Sequence, residues 1–204
     1  IYPISSLSGS GTGDLLDELV TLLPEGEIAL DENIPKIAFV GRPNAGKSTI
    51  CNTLLGHERN IVTDVPGTTR DTLYIRYKSF NNDLYLVDTA GVRKKGKVTE
   101  DIEFYSVMRS LRAIESVDVV ALVIDATRGL EAQDMNLFGL AQKNGKGTVI
   151  VVNKWDLIEK NTQTTKEYEK LIKQKIAPFV DVPVLFVSAL TKQRVLKALK
   201  TMIG

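Results

Sequence analysis

Gly41-Arg42-Pro43-Asn44-Ala45-Gly46-Lys47-Ser48 follows the apolar run Ile37–Val40 and precedes Thr49–Leu55, a segment with helical character. This setting gives a phosphate-binding loop its chemistry. A glycine-rich turn lets successive backbone N–H groups converge on phosphate oxygens, and the helix N-terminus adds the positive end of its dipole. Lys47 brings a full charge toward the outer phosphates, and Ser48 is placed to ligate magnesium. The contacting set expected here is Gly41, Asn44, Ala45, Gly46, Lys47, Ser48 and Thr49.

Two more strand ends carry polar groups. Leu84–Val87 leads into Asp88-Thr89-Ala90-Gly91, where Asp88 is expected to hold magnesium through water and the Gly91 N–H to sense the terminal phosphate. Val149–Val152 leads into Asn153-Lys154-Trp155-Asp156. A carboxylate at Asp156 accepts two hydrogen bonds from guanine N1–H and N2–H₂. Adenine has no such donor pair and leaves the charge unpaired, so discrimination is large. Lys154 is expected to lay its stem over the base, and Ser188-Ala189-Leu190 to offer backbone N–H groups, chiefly at Ala189, to the guanine carbonyl. Trp155 reads as packing. His57, without metal-ligand companions, reads as a surface residue.

The elements that must position these groups alternate after Pro35 between β-rich runs and helical patterns, which predicts a doubly wound, mostly parallel α/β sheet. Six strands are expected, near Ile37–Val40, Leu73–Phe80, Leu84–Asp88, Val119–Ile124, Thr148–Val152 and Val184–Val187. A turn at Asn81-Asn82-Asp83 makes the second and third antiparallel. Helical periodicity marks Asp101–Ile114, Glu131–Lys143, Thr164–Ile176 and Arg194–Ile203. Asn60–Asp71 shows no helical pattern and carries hydroxyls, so it reads as a mobile loop that closes over magnesium.

Upstream, Tyr2–Leu7 leads through a Ser/Gly loop into a helix at Asp14–Leu23, the order repeated at Val182–Leu190 and beyond. This partial repeat marks residues 1–24 as the tail of a preceding related domain, 25–35 as a linker and 36–204 as the nucleotide-binding domain. An additional N-terminal helix is the alternative.

The chain has 204 residues, 43% of them hydrophobic, enough for a substantial core. Lys plus Arg total 26 against 25 acids, so any nucleic-acid contact must come from a local patch. One cysteine, Cys51, excludes an internal disulfide and reads as structural. No run approaches the ~20 apolar residues of a membrane span and Ile1 opens no signal sequence, so a cytoplasmic, monomeric protein is the expectation.

From Pro35 to Gly204 the residues resemble the translation-factor-related bacterial GTPases, and among them the double-GTPase group in which two GTPase domains precede a KH-like domain. The carriers are Gly41–Ser48, Pro66–Asp71, Asp88–Val98, Asn153–Asp156 and Ser188–Thr191. The resemblance implies a Ras-like P-loop GTPase fold and hydrolysis of GTP to GDP and phosphate, timing assembly of the large ribosomal subunit. The segment matches the second GTPase domain preceded by the end of the first. Val92 stands where many regulatory GTPases carry a water-orienting glutamine. Potassium-activated relatives imply a monovalent cation held by Asn44, Thr63, Val65 and Thr68, which stabilises charge on the leaving diphosphate. Thr69 is the expected switch-one magnesium ligand, with Thr68 contacting nucleotide beside it. Glu100 is a candidate water-orienting acid, or a helix N-terminal acid capped by Thr99. Lys47, Asn44, Thr69, Gly91 and Glu100 make up the catalytic set. Arg93, Lys94, Lys95 and Lys97 form a basic loop whose charge alone suits RNA, a protein or a neighbouring domain, and which the resemblance assigns to ribosomal RNA. A nucleotide-gated module that does not hydrolyse GTP and a transfer-RNA-modification GTPase are the alternatives.

Overall fold

The computed structural model describes residues 3–5, 7–9, 11–22, 30–56, 61–64, 74–79, 82–87 and 110–203. Among these residues the sheet has seven strands: β1 (Lys36–Val40), β2 (Ile61–Asp64), β3 (Tyr74–Ser79), β4 (Asn82–Val87), β5 (Val119–Asp125), β6 (Gly147–Asn153) and β7 (Val184–Phe186). Their order is β2-β3-β4-β1-β5-β6-β7. Contacts of β1 with β4 and β5, and of β6 with β5 and β7, are parallel, while β2-β3-β4 is antiparallel. All six expected strands are present.

The seventh strand corrects one expectation. Ile61–Asp64, read as part of a loop, pairs with Lys78–Ile75 of β3 at the sheet edge. Ile61, Val62 and Thr63 are β-branched and suit a pleated edge, a signal that the search for hydroxyls overlooked. The hairpin also differs from expectation: Asn82 and Asp83 are not the turn but the start of β4, paired with Ser79 and Lys78. Arg76 makes a two-pronged contact with Asp83 at 3.0 and 2.8 Å, which favours strand pairing over a turn there.

Two apolar layers flank the sheet, and strand alternation divides the residues between them. On one face Ala38, Val40, Leu122, Ile124, Ile150 and Val152 pack with Leu137 and Phe138 of α3 (Ala132–Lys143), Ile172 of α4 (Thr164–Lys175) and Ile114 of a helical segment at 110–115. On the other, Ile37, Ala121, Val123, Val149 and Val151 pack with Ile50 and Leu54 of α2 (Lys47–Leu55) and Val195, Leu199 and Met202 of α5 (Val195–Ile203). β5 and β6 are buried on both faces, which is why they read as unbroken apolar runs. Each fully buried Leu or Ile contributes roughly 1.5–3 kcal/mol. Trp155 is core, as expected, in edge contact with Tyr168 and tilted against Phe186.

The helix upstream, α1 (Thr12–Leu22), leaves Leu16 and Leu22 59% and 72% exposed. The chain rejoins the domain by Ile34, which is buried, and by Pro35, whose carbonyl accepts from the Tyr85 N–H at 2.8 Å. Cys51 is buried on α2, and burial pushes its thiol up to about 12 despite the nearby Lys47 charge. A group protonated at neutral pH and sealed from solvent reacts only through opening of the fold. Alkylation of the native chain by iodoacetamide at pH 8 is therefore expected to run at least ~100-fold slower than in denaturant. Native and denatured rates within tenfold of each other would contradict the packing.

Candidate functional site

The strand order reverses at β1: β4 lies parallel on one side of it and β5 parallel on the other. In doubly wound sheets such a switch point opens a crevice at the strand C-termini. The phosphate loop leaves β1 there. Gly41 has φ 143°, and a Cβ would stand 2.2 Å from the Val123 carbonyl oxygen of β5. Gly46, at φ 96°, caps α2, and a Cβ would meet the Asn153 amide nitrogen at 2.1 Å. Both positions exclude a side chain by conformation and by space.

Within this turn Lys47 Nζ donates to the carbonyls of Gly41 and Arg42, each at 2.7 Å. Burial holds its ammonium below the ordinary lysine value, against the attraction of Asp134. Ser48 and Thr49 are exposed on the first turn of α2, Ala45 is buried, and Asn44 is exposed at φ 63°. Asparagine tolerates that left-handed backbone better than most residues.

Asn153 joins the phosphate loop to the base-reading loop. Its Nδ2 donates to the Ala45 carbonyl at 2.9 Å, and its Oδ1 accepts from the Ala189 N–H at 3.0 Å. The Ala189 N–H, expected on sequence grounds to meet the guanine carbonyl, donates here to Asn153, whose buried amide oxygen needs a donor. Ser188 is fully buried, its Oγ accepting from the Thr191 N–H, and Leu190 is 79% exposed. Thr53 on α2 donates to the Ala189 carbonyl at 3.0 Å, tying this loop to the helix that carries Lys47.

Asp156 sits in a short 3₁₀ turn, Trp155–Leu157, and its Oδ1 is buried without a hydrogen-bond partner among the described residues. An orphaned carboxylate oxygen costs about 1–3 kcal/mol, so a donor supplied by a ligand is strongly favoured there. Lys154 turns at φ 62° and rests its ammonium on Asp125 Oδ2 at 2.6 Å. Asp125 also accepts from the Thr127 N–H and hydroxyl at 2.9 and 2.7 Å. Burial pushes its carboxyl up, but the bonds from Lys154 and Thr127 outweigh that and hold it below the usual range.

Sequence reasoning missed Asp125, although it ends an apolar strand as Asn153 does, and the β5–β6 register sets the two side by side. It also missed the anchor of Arg42. That guanidinium is buried, donates to Asp134 Oδ2 and the Gly129 carbonyl at 2.9 Å, and pairs with Glu131. Glu131 and Asp134 are reciprocal caps of α3, so the phosphate loop is tied to the start of that helix. Burial raises the Asp134 carboxyl above its ordinary value, opposed by the Glu131 N–H and Arg42.

Of the remaining expected residues, Thr63 lies in β2 opposite Arg76. His57, Val65, Thr68, Thr69, Asp88, Gly91, Arg93, Lys94, Lys95, Lys97 and Glu100 lie outside the described residues. β4 ends at Val87, beside Ala38 of β1.

The family described as 50S ribosome-binding GTPase matches residues 36–154. This chain belongs to that family. Its relatives include GTPase Der of Phocaeicola vulgatus, 61% identical over 202 residues, which cover 98% of this chain and 46% of the relative. GTPase Der of Porphyromonas gingivalis is 57% identical over 203 residues, with the same coverage of 98% and 46%. The chain thus spans about half the length of the curated relatives it matches. Among solved structures it is similar to Era in complex with MgGDPNP and nucleotides 1506–1542 of 16S ribosomal RNA, at TM-score 0.61 and 24% identity over 82% of this chain and 55% of that one. Era of Aquifex aeolicus bound to GDP·AlF4− gives TM-score 0.61 and 25% identity, with the same coverage of 82% and 55%. The Ras-like GTPase fold expected from the motifs is the fold observed.

Proposed function

We propose that this domain binds GTP with magnesium, hydrolyses it to GDP and phosphate, and serves assembly of the large ribosomal subunit within a longer protein. The buried, unpartnered Asp156 oxygen beside the Asn153 bridge carries the reading, because it needs a donor that guanine has and adenine lacks. Guanine O6 then takes the Leu190 N–H, the next donor along the loop. Lys154, braced by Asp125, is held for packing along the base.

Phosphates entering the loop draw Lys47 away from the Gly41 and Arg42 carbonyls, while the braces on Arg42 and Asn153 keep the backbone in shape. Such preorganisation means that charge developing on the phosphates meets fixed dipoles and a fixed cation. The hydroxyl of Ser48, exposed at the start of α2, fits a hard cation, with Asp88 and Thr69 as its partners from the switch segments. Magnesium bound there neutralises phosphate charge. Asn44, exposed on the loop, fits a monovalent cation together with Thr63, Val65 and Thr68. Gly91 and Glu100 complete the catalytic set as phosphate sensor and water-orienting acid.

GTP hydrolysis in potassium against sodium at equal ionic strength tests this reading. Turnover is expected to be at least ~10-fold faster in potassium, the scale of about 1.4 kcal/mol of charge stabilisation, and Asn44→Ala should remove the difference. Negligible turnover in both salts with nucleotide binding intact would instead favour a nucleotide-gated module.

The exposed leucines of α1 support residues 1–24 as the tail of a preceding domain, with 25–35 as linker and 36–204 as the GTPase domain. Ribosomal RNA as partner rests on the family description and on the basic stretch Arg93–Lys97. No helix among the described residues is long and apolar enough to cross a membrane. A cytoplasmic monomer acting on ribosomal particles is part of the same reading.

A further inference from the structure

Between Val182 and Gly204 the chain contains four bases, Lys192, Arg194, Lys197 and Lys200, and no acid. All four are exposed and none makes an ion pair among the described residues. α5 buries Val195, Ala198, Leu199 and Met202 and turns Lys197 and Lys200 to solvent, about 4.5 Å apart along the helix axis. α2, which packs beside α5, carries no acid either.

The preceding loop extends the same surface. Lys192 and Arg194 both hold left-handed backbone, with φ 60° and 61°, which is uncommon for residues with side chains. Two backbone bonds between Ser188 and Gln193, at 3.1 and 2.9 Å, impose that turn. The exposed side chains of Thr191 and Gln193 add uncharged donors beside the charges. The lysines of α4 are different: Glu167 and Glu169 are interleaved with them, and Lys173 is paired with Glu169 at 3.0 Å. An ordinary solvated face looks like α4. A face of unpaired cations with hydrogen-bond donors and no acid suits a polyanion, whose bound counterions it releases.

We propose that Lys192, Arg194, Lys197 and Lys200 form a docking surface for the phosphate backbone of RNA. The choice of RNA among polyanions rests on the reading of this chain as a ribosome-binding GTPase. The surface is distinct from the nucleotide pocket but continuous with it, since RNA seated there lies against the loop that carries Ala189 and Leu190.

Fluorescence anisotropy with a labelled 20-base-pair RNA duplex tests the proposal, in three proteins: the unaltered chain, a variant with K192E, R194E, K197E and K200E, and a control with K166E and K170E on α4. The α5 variant is expected to bind at least ~10-fold more weakly with a visibly shallower salt dependence, while the control stays within about twofold. Equal binding by the α5 variant and the unaltered chain, or equal loss in both variants, overturns the surface. Competition by polyglutamate or phosphatidylserine vesicles as strong as by unlabelled RNA overturns the choice of RNA. If the fourfold reversal does not fold, K197Q with K200Q on the solvent side of α5 gives the same reading with a smaller loss. A fluorescent GDP analogue measured on the same samples separates the two claims: failure to bind GDP counts against the proposed function, and failure to bind RNA counts against this surface.

Discussion

Asp156→Asn is expected to reverse base preference, weakening GTP and strengthening XTP. The carboxylate accepts two guanine N–H groups, and charge-assisted hydrogen bonds contribute about 1.5–3 kcal/mol each. Losing both lowers GTP affinity by roughly 10²–10⁴-fold, at about 1.4 kcal/mol per decade. Xanthine presents a 2-oxo group where guanine has its amine, so the new amide donates where the carboxylate accepted. The structure supplies a second readout. Because Asp156 Oδ1 is buried and unpartnered among the described residues, replacing the carboxylate with a neutral amide removes a cost instead of adding one. The thermal midpoint without nucleotide should therefore hold or rise while GTP affinity collapses. Displacement of a fluorescent GDP analogue by GTP and by XTP measures the switch, and an unchanged preference for GTP would sink the base-reading assignment.

Lys47→Ala is expected to weaken GTP, GDP and XTP together, by roughly 10³-fold or more, through loss of two or more charge-assisted bonds to phosphate. The shared loss distinguishes it from Asp156→Asn, which discriminates between bases. Lys47 also holds the loop before nucleotide arrives, since its ammonium satisfies the Gly41 and Arg42 carbonyls. The variant loses that brace as well as the charge. Because burial lowers the lysine's proton affinity and only the ammonium attracts phosphate, binding by the unaltered chain should weaken at alkaline pH sooner than an ordinary lysine would allow. Titration calorimetry of both proteins across pH provides the check, and GTP affinity within tenfold of the unaltered chain would refute the role.

The parts of the site that were legible in advance are contiguous in sequence. Gly41–Ser48 contains its own turn, its own cation and its own helix start, so its chemistry could be read without knowing what lay beside it. Asn153–Asp156 was legible for the same reason, as were the buried runs of β5 and β6. What escaped were contacts between distant residues. Arg42 meets Asp134 across 92 residues and Asn153 meets Ala45 across 108, and neither pairing leaves a local signature. Asp125 was invisible as a brace because its partnership with Lys154 depends on the register that sets β5 against β6. The diversion of the Ala189 N–H to Asn153 has the same origin.

By itself the sequence determined which chemical groups the site contains and which elements carry them, because turn conformation, strand burial and helix amphipathicity are set within a few residues. Only the tertiary structure decided which of those groups were already engaged and which were left free for a ligand. Asn153, Arg42 and Lys154 found protein partners, while among the described residues the Asp156 oxygen and the basic face of α5 did not. That division follows from strand order and register, which bring side chains within hydrogen-bond distance irrespective of their separation along the chain.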